Sequence, residues 1–595
     1  ENPDGTLPLT AWIPGVSAFP TPNWYRAAKE ITNETKSTRI LGNLFLEYRP
    51  IEGLTLKTSI NGDFGNSSFF NYSPSTSSTT FTALPPVIAT SIRRENKYLS
   101  WLNENTATYN KSFGNHNFEL LGGISYQKYE GDNSQLYLSN FPDDRIRTIQ
   151  SALNIDRTAS FNNINHWSLS SYFSRLNYDY DGKYLVTLAL RRDGSSRFGS
   201  NNRWGNFPSV SAGWVFSDES FLENADFLSF GKIRASYGVI GNNNIGNYTQ
   251  YALVDNSINA VFGNTVASGA AVTTLGNANL GWERTKQFDI GLDLRFFNNR
   301  VEFIYDYYKK NTTDLLFNVA IPQESGFSNF NDNVGEIEFW GHEFAIVSRN
   351  VANDNFTWNT NFNIAFNRNK VVALAEGVDR IFSPGGNYTS ITRAGEPLGQ
   401  FWGLIHDGVY DNQAEFDSSP RAVESEVGTI KFADVNGDGV ITFGNENDDR
   451  TVIGNPFPDY IFGITNDFKY KNWDASVVIS GSVGNDIAVT TDQGLTNLDG
   501  VFNVLRDVQD RWRSPENPGS GRYGKTTSAT FMERDWFSSR FIEDGSHLTV
   551  KNITVGYNFP VKEDGLLQRA RVYASVQQAF VFTKYRGSNP EISTT

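Results

Sequence analysis

In the stretch TKQFDIGLDLRFF (285–297) every second residue is apolar. Phe288, Ile290, Leu292, Leu294 and Phe296 fall on one face, and Gln287, Asp289, Gly291, Asp293 and Arg295 fall on the other. FTWNTNFNIAFN (356–367) repeats the pattern, with Phe356, Trp358, Phe362, Ile364 and Phe366 opposite Asn359, Asn361, Asn363 and Asn367. A helix repeats every 3.6 residues and a strand every two, so alternation sustained this long predicts strand. The length constrains the fold further. Strands of globular proteins average about five or six residues, whereas a tilted strand crossing a bilayer takes about nine to eleven.

Roughly sixteen such segments are expected: 40–49, 54–65, 97–110, 117–130, 166–180, 184–193, 207–217, 229–238, 285–296, 301–314, 336–349, 356–367, 459–470, 472–481, 547–559 and 570–582. Aromatics gather at their ends, as in IYDYYKK (304–310). The connections alternate short and long. Short ones are PIEG (50–53), FGNHN (113–117), DG (181–182), NN (298–299) and Lys471. Long ones are 66–96, 131–164, 239–284, 315–335, 368–458 and 482–546, while 194–206 and 218–228 are similar in length. Tight hairpins at one end and long loops at the other fit a transmembrane antiparallel up-and-down β-barrel. A soluble all-β protein with decorated loops is the plainer alternative. One segment breaks phase: in 547–559, Leu548 and Val550 are out of step with Ile553, Val555, Tyr557 and Phe559. A bulge or an inward apolar contact explains that equally well.

Composition removes other classes. The net charge is −14, which argues against a nucleic-acid partner. No cysteine is present, so disulfides, thiolate metal sites and cysteine nucleophiles are excluded, and five histidines leave little for zinc. The mean hydropathy of −0.42 looks soluble, but a barrel that alternates lipid-facing and lumen-facing residues averages out as polar. ENPDGTLPLTAWIPG has no signal-peptide pattern and no initiator Met, so the chain is expected to be a piece of something longer.

Among motifs, FADVNGDGVIT (432–442) opens like a calcium loop. Asp434, Asn436 and Asp438 would give side-chain oxygens, Gly439 the sharp turn and Val440 a carbonyl. Asn445 replaces the usual bidentate Glu, with Glu446, Asp448 or Asp449 as substitutes. The alternative is an Asx-rich turn without an ion. GSGRYGKT (519–526) matches a phosphate loop but lacks the strand before it and the helix after it. LRRDG (190–194) ends a strand and is no export signal, and the N-x-T triplets at Asn33, Asn311 and Asn552 are expected to be coincidental, Asn552 lying inside a strand. Acid pairs such as Asp448–Asp449, Asp143–Asp144 and Glu424 with Glu426 are expected to be solvated rather than catalytic. Trp12, Trp24, Trp402, Tyr410 and Trp536 are expected to pack loops, with stacking on sugar as the alternative. Lumen-facing Asp289, Arg295 and Asn361 are expected to hold whatever segment fills the interior rather than a ligand.

Several long stretches carry a family likeness: SYFSRLNYDYDGKYLVTLALRRDGSSRFGSNNRWGNFPSVSAGW (171–214), NLGWERTKQFDIGLDLRFFNNRVEFIYDYYKKNTTDLLF (279–317), GFSNFNDNVGEIEFWGHEF (326–344), DVNGDGVIT with DDRTVIGNPFPDYIFGITNDFKYKNW (434–473) and RFIEDGSHLTVKNITVGYNFP (540–560). They resemble the SusC-like TonB-dependent transporters of the Bacteroidetes outer membrane, in the family's order and across nearly the whole chain. The resemblance implies a 22-stranded barrel, an N-terminal plug, a SusD-like surface lipoprotein as lid, and active import driven by TonB–ExbB–ExbD. It implies no catalytic residues. The segments above would then be strands six to twenty-one, with residues 1–39 an extracellular loop region, 40–583 the partial barrel and 584–595 the start of a last extracellular loop. The plug and the final strand are not seen in this sequence. The expected cargo is an oligosaccharide, with peptide as the alternative within the family. The expected cofactors are none beyond structural calcium. Rival readings are a structural, adhesion or secretion-associated barrel and a secreted β-rich glycan-degrading enzyme.

Overall fold

The computed structural model describes residues 6–11, 21–80, 83–263, 265–383, 390–444, 448–498, 503–526, 535–560 and 569–591. One antiparallel sheet of 16 strands dominates it, and strand order in the sheet is strand order in the chain. The strands are β1 (Thr32–Ile51), β2 (Leu54–Ser73), β3 (Thr90–Phe113), β4 (His116–Ser139), β5 (Asn154–Tyr180), β6 (Tyr184–Ser195), β7 (Trp204–Val215) and β8 (Leu228–Asn242). They continue with β9 (Glu283–Phe296), β10 (Val301–Thr313), β11 (Glu336–Ala352), β12 (Phe356–Ala373), β13 (Tyr460–Tyr470), β14 (Trp473–Val483), β15 (His547–Phe559) and β16 (Ala570–Thr583). Each expected segment is one of these strands. Among the described residues β1 and β16 do not pair, so the curved sheet presents two free edges.

The apolar face of this sheet is bare. Phe288 and Ile290 are 42% and 40% exposed, and no second sheet or helix layer covers them among the described residues. Register extends the face across neighbours: Ile290 pairs with Ala235 and Tyr307, and Phe288 with Tyr237. A contiguous apolar wall of this extent in water would aggregate, whereas against acyl chains it is at home. At the short-turn end aromatic rings meet in pairs: Phe113 with Phe118 at 5.4 Å, Phe118 with Tyr178 at 4.7 Å and Trp473 with Tyr557 at 4.9 Å. Rings with one apolar side and one polar tip favour the headgroup level, so this belt marks a membrane interface.

One expectation about the strands is revised, and one choice between alternatives is settled. The first five are much longer than the alternation suggested, at 20, 20, 24, 24 and 27 residues. Their outer halves, such as Arg93–Arg94–Glu95–Asn96 paired with Phe70–Ser67, keep the ladder but lose the apolar face. Above the bilayer both faces meet water, so alternation vanishes while backbone pairing continues. The phase break in β15 is a bulge. Asn552 pairs with Val478 and Val550 with Ile479, leaving Lys551 unpaired. That one-residue insertion returns Leu548 and Val550 to the apolar face, where they oppose Phe582 and Phe580.

The buried clusters lie at the long-loop end. Leu404, Ala422, Ile430, Phe432 and Ile441 form one, with Phe443 and Trp536 packed on it. Tyr72, Ala89, Leu138 and Phe141 form a second, and Phe198, Phe207, Leu280 and Trp282 a third. The loops between β12 and β13 and between β14 and β15 dock on each other: the Leu404 amide donates to the Phe537 carbonyl at 3.0 Å. The long loops therefore fold into a cap with its own small sheets, among them the four strands 380–383, 390–393, 400–403 and 451–454. At the weakest point of the length contrast the order reverses: the outer connection 196–203 is shorter than 216–227 at the turn end.

Candidate functional site

Opposite the apolar face, the same strands present polar side chains to the concave side. A cavity of about 810 Å³ there is lined from β4 to β9 by residues that include Arg175, Arg191, Ser211, Ser236 and Asp289. The centre of this wall is an ion-pair triad that the sequence reading missed. Arg234 on β8 reaches Asp293 on β9 at 3.1 Å and Asp306 on β10 at 2.7 Å. Gly291 makes the room, because a Cβ there would lie 2.4 Å from the Arg234 guanidinium carbon. The signal was present as opposite charges at lumen-parity positions of adjacent strands, but only the register brings those three together. Asp289 takes hydrogen bonds from Gln287 at 3.0 Å and Ser236 at 3.2 Å. Arg295 pairs with Glu302 at 3.4 Å. Nearer β4, Glu119 holds Arg175 at 2.8 Å and Asn177 at 2.9 Å. Asn361 faces the same side, opposite Thr465 and Val347.

The calcium-like loop sits in the cap. The short strand Ile430–Phe432 precedes it and Thr451–Gly454 follows, so helices do not flank it. The two Asp434 oxygens accept the Gly437 and Gly439 amides at 2.7 and 2.9 Å, with both glycines at positive φ. These amides hold the Asp434 carboxyl below its ordinary value. Asn436 accepts the Asp438 amide at 2.9 Å, and Asp438 accepts the Val440 amide at 2.8 Å. Backbone groups thus close the turn through its own side chains. Among the described residues no three carboxylates or imidazoles converge as metal ligands. Asn445 and Glu446 lie outside the described residues. Asp448 accepts from the Arg450 guanidinium at 2.6 Å.

Asp449 is the keystone of this corner. It is fully buried and accepts the Val435 amide at 3.0 Å and the Thr442 amide at 2.7 Å. Asp449→Asn keeps the size but leaves a buried amide group facing a backbone donor, at a cost of about 1–3 kcal/mol. Limited proteolysis between residues 434 and 449 is expected to accelerate roughly tenfold or more while the barrel stays intact.

The remaining motifs resolve as structure. Lys525 of GSGRYGKT pairs with Glu426 at 3.0 Å. Arg191 is held by Asp193 and Ser171, at 2.8 and 2.9 Å. Asn33, Asn311 and Asn552 all lie in barrel strands. Arg145 at 2.5 Å pulls the Asp143 carboxyl down to about 2, and Asp144 accepts from Tyr72 at 2.9 Å. Trp402 and Tyr410 are buried, and Trp536 stacks on Phe443 at 5.5 Å. Trp24 is exposed, and Trp12 lies outside the described residues.

His406, in the cap, has its pKa pushed down to about 4 by burial and by the nearby Arg540 and Arg522 guanidinium groups. Its folded value lies below the ordinary value of about 6.5, so only the unfolded chain takes up a proton as pH falls from there. Cap stability is therefore expected to be flat above about pH 6.5 and to decline toward pH 4. Acid melts of His406→Gln are expected to show a shallower decline than the parent.

Comparison with known proteins agrees with this geometry. A family profile described as TonB dependent receptor-like, beta-barrel matches residues 2–577. The TonB-dependent receptor P3 of Formosa agariphila is 36% identical over 601 residues, covering 99% of this chain and 58% of that protein. The TonB-dependent receptor SusC of Bacteroides thetaiotaomicron is 30% identical, covering 96% and 55%. A solved structure described as the RagAB peptide transporter superposes with a TM-score of 0.83 at 25% identity, covering 99% of this chain and 63% of that one. The chain thus spans a little over half the length of the curated relatives it matches.

Proposed function

Because this chain belongs to the TonB-dependent receptor family and forms its outer-membrane β-barrel, we propose that the whole protein is an active importer. The family is one of transporters rather than enzymes. The observation that carries the proposal is the two-faced wall: a bare apolar exterior, a polar interior and a folded cap at one end only. Wide barrels of this class have interiors that their own side chains cannot fill, so a further segment plugs the lumen and gates it. The free edges of β1 and β16 are then paired by strands of the whole protein. Import draws on TonB–ExbB–ExbD, and deleting the TonB-contacting segment of the full-length protein is expected to abolish uptake with surface abundance unchanged. Normal uptake in that variant would return the barrel to a structural or adhesive role.

The proposed cargo is an oligosaccharide, supported by the amide- and hydroxyl-rich interior. A peptide is the second reading, favoured by the likeness to the RagAB peptide transporter. Parallel uptake of labelled neutral oligosaccharides and labelled peptides by the same cells separates the two. A SusD-like surface lipoprotein is the proposed lid. In support, the hairpin Val254–Phe262 with Thr265–Val272 carries Val261 and Phe262 at 70% exposure near its tip, and uncovered apolar tips are typical of contact surfaces. Co-purification from detergent tests the pair. A structural calcium ion at Asp434, Asn436, Asp438 and the Val440 carbonyl is proposed separately. It is tested by whether calcium raises the cap melting temperature in the parent and not in Asp438→Ala.

A further inference from the structure

From β9 to β12 the apolar exterior ends in a band of cations toward the long loops. On β9 the residues that continue the face of Ile290 and Phe288 are Lys286 and Arg284. On β10 Lys309 follows Tyr307 on that face, and on β12 Arg368 and Lys370 follow Phe366. All five are exposed. Register sets them side by side. Phe288, Lys309, Trp340 and Arg368 form one row across the four strands, and Lys286, Asn311, Glu338 and Lys370 form the next row outward. The row beneath both is Ile290, Tyr307, His342 and Phe366. Carboxylates share the patch. Glu338 takes Lys309 at 2.5 Å, Asp459 takes Arg368 at 3.1 Å, and Glu336 accepts from the Asn311 side chain at 2.6 Å. Asp314 lies just past the end of β10, beyond these rows. Arg284, Lys286 and Lys370 hold no ion pair among the described residues.

We propose that this band binds the phosphate groups of an acylated, multiply phosphorylated lipid of the outer leaflet, whose chains lie on the apolar rows beneath. The proposal goes beyond import, because it concerns the outside of the wall and holds for either cargo. Position selects a lipid over a soluble anion or a protein. The cations stand on the acyl-facing side next to Ile290 and Phe366, so a ligand that reaches them rests its apolar part on the barrel. Long Lys and Arg stems run over apolar surface and place their charge at the headgroup level, where Trp340 also fits. Charge selects phosphate. The whole chain carries −14, yet three cations without a carboxylate partner gather at one lipid-facing place. A guanidinium meets phosphate through two parallel hydrogen bonds, and an ammonium meets it as a point charge. Each basic residue near an anionic lipid surface strengthens attachment about fivefold. Four strands span three spacings, about 14 Å, which is room for more than one phosphate.

The full-length protein, purified in a neutral detergent, is titrated with diphosphorylated lipid A, with the same lipid stripped of its phosphates, and with inorganic phosphate alone. Bound molecules are counted by native mass spectrometry. The phosphorylated lipid is expected to bind about tenfold more tightly than the stripped one. Arg284→Gln with Lys286→Gln and Lys370→Gln is expected to bring the two lipids to equal affinity, with the heat-modifiable band and the affinity for stripped lipid unchanged. Equal binding of both lipids by the parent overturns the site and leaves only an acyl-facing wall. A triple variant that keeps the full preference puts the phosphate elsewhere and overturns it as well. Inorganic phosphate that binds the parent as tightly as the phosphorylated lipid makes this a free-anion site and overturns the lipid.

Discussion

Ile290→Arg is expected to remove the protein from the outer membrane. Ile290 lies at the middle of β9, 40% exposed on the apolar face between Ala235 and Tyr307. An arginine at the bilayer midplane of a barrel costs about 2–4 kcal/mol, falling to about 0–1 near the interfaces. That is a large part of the margin of a folded protein. Gln287→Arg, three positions away on the same strand but on the lumen face beside Asp289, is expected to assemble normally. Folded barrel is measured as the heat-modifiable band on unboiled gels of outer-membrane fractions. If the two variants behave alike, the assignment of faces is wrong, and with it the membrane reading.

The second large effect is expected at the triad. Arg234→Met removes the cation that separates Asp293 from Asp306. Taking one partner from a buried pair costs about 3–5 kcal/mol because the other charge is left uncompensated. Arg234 is about a third exposed, so about 2–3 kcal/mol is expected here after solvent screening. Denaturant unfolding in detergent, followed by loss of heat-modifiability, reads it. Adding Asp293→Asn and Asp306→Asn to Arg234→Met is expected to recover most of the loss, because no charge then remains unpaired. A triple variant as unstable as the single one would mean that Arg234 acts through packing over Gly291 and not through its charge.

The apolar alternation around Phe288 and Phe362 was legible without coordinates, because a period of two needs only neighbouring residues to be seen. So were the tight turns at Gly53, Asp181 and Lys471, where the short connections leave little room for anything but a hairpin and the backbone takes positive φ. The outer halves of β1 to β5 were not legible, since pairing outside a bilayer imposes no rule on side-chain polarity. The β15 bulge was seen as an anomaly but not resolved. Leu548 and Val550 are out of phase in sequence, and only Ile479 and Phe580 opposite them show which way they turn.

The calcium-like loop shows the same boundary at one site. Its oxygen-rich residues were evident, as was the absence of flanking helices. That Asp449 is the buried acceptor for its backbone was not, because 448–449 reads as a surface acid pair. The cap core was hidden for a related reason. Leu404 and Phe537 lie more than a hundred residues apart and meet only when two loops close on each other.

Taken alone, the residues determined the class of wall: long ribbons with one oily side, joined by tight turns at one end. Local alternation encodes that directly, since each strand must satisfy the same two environments along its length. Tertiary structure alone decided which charges neutralise each other and what the long loops build. Those follow from register between strands, and register sets contacts across a sheet that no single strand records.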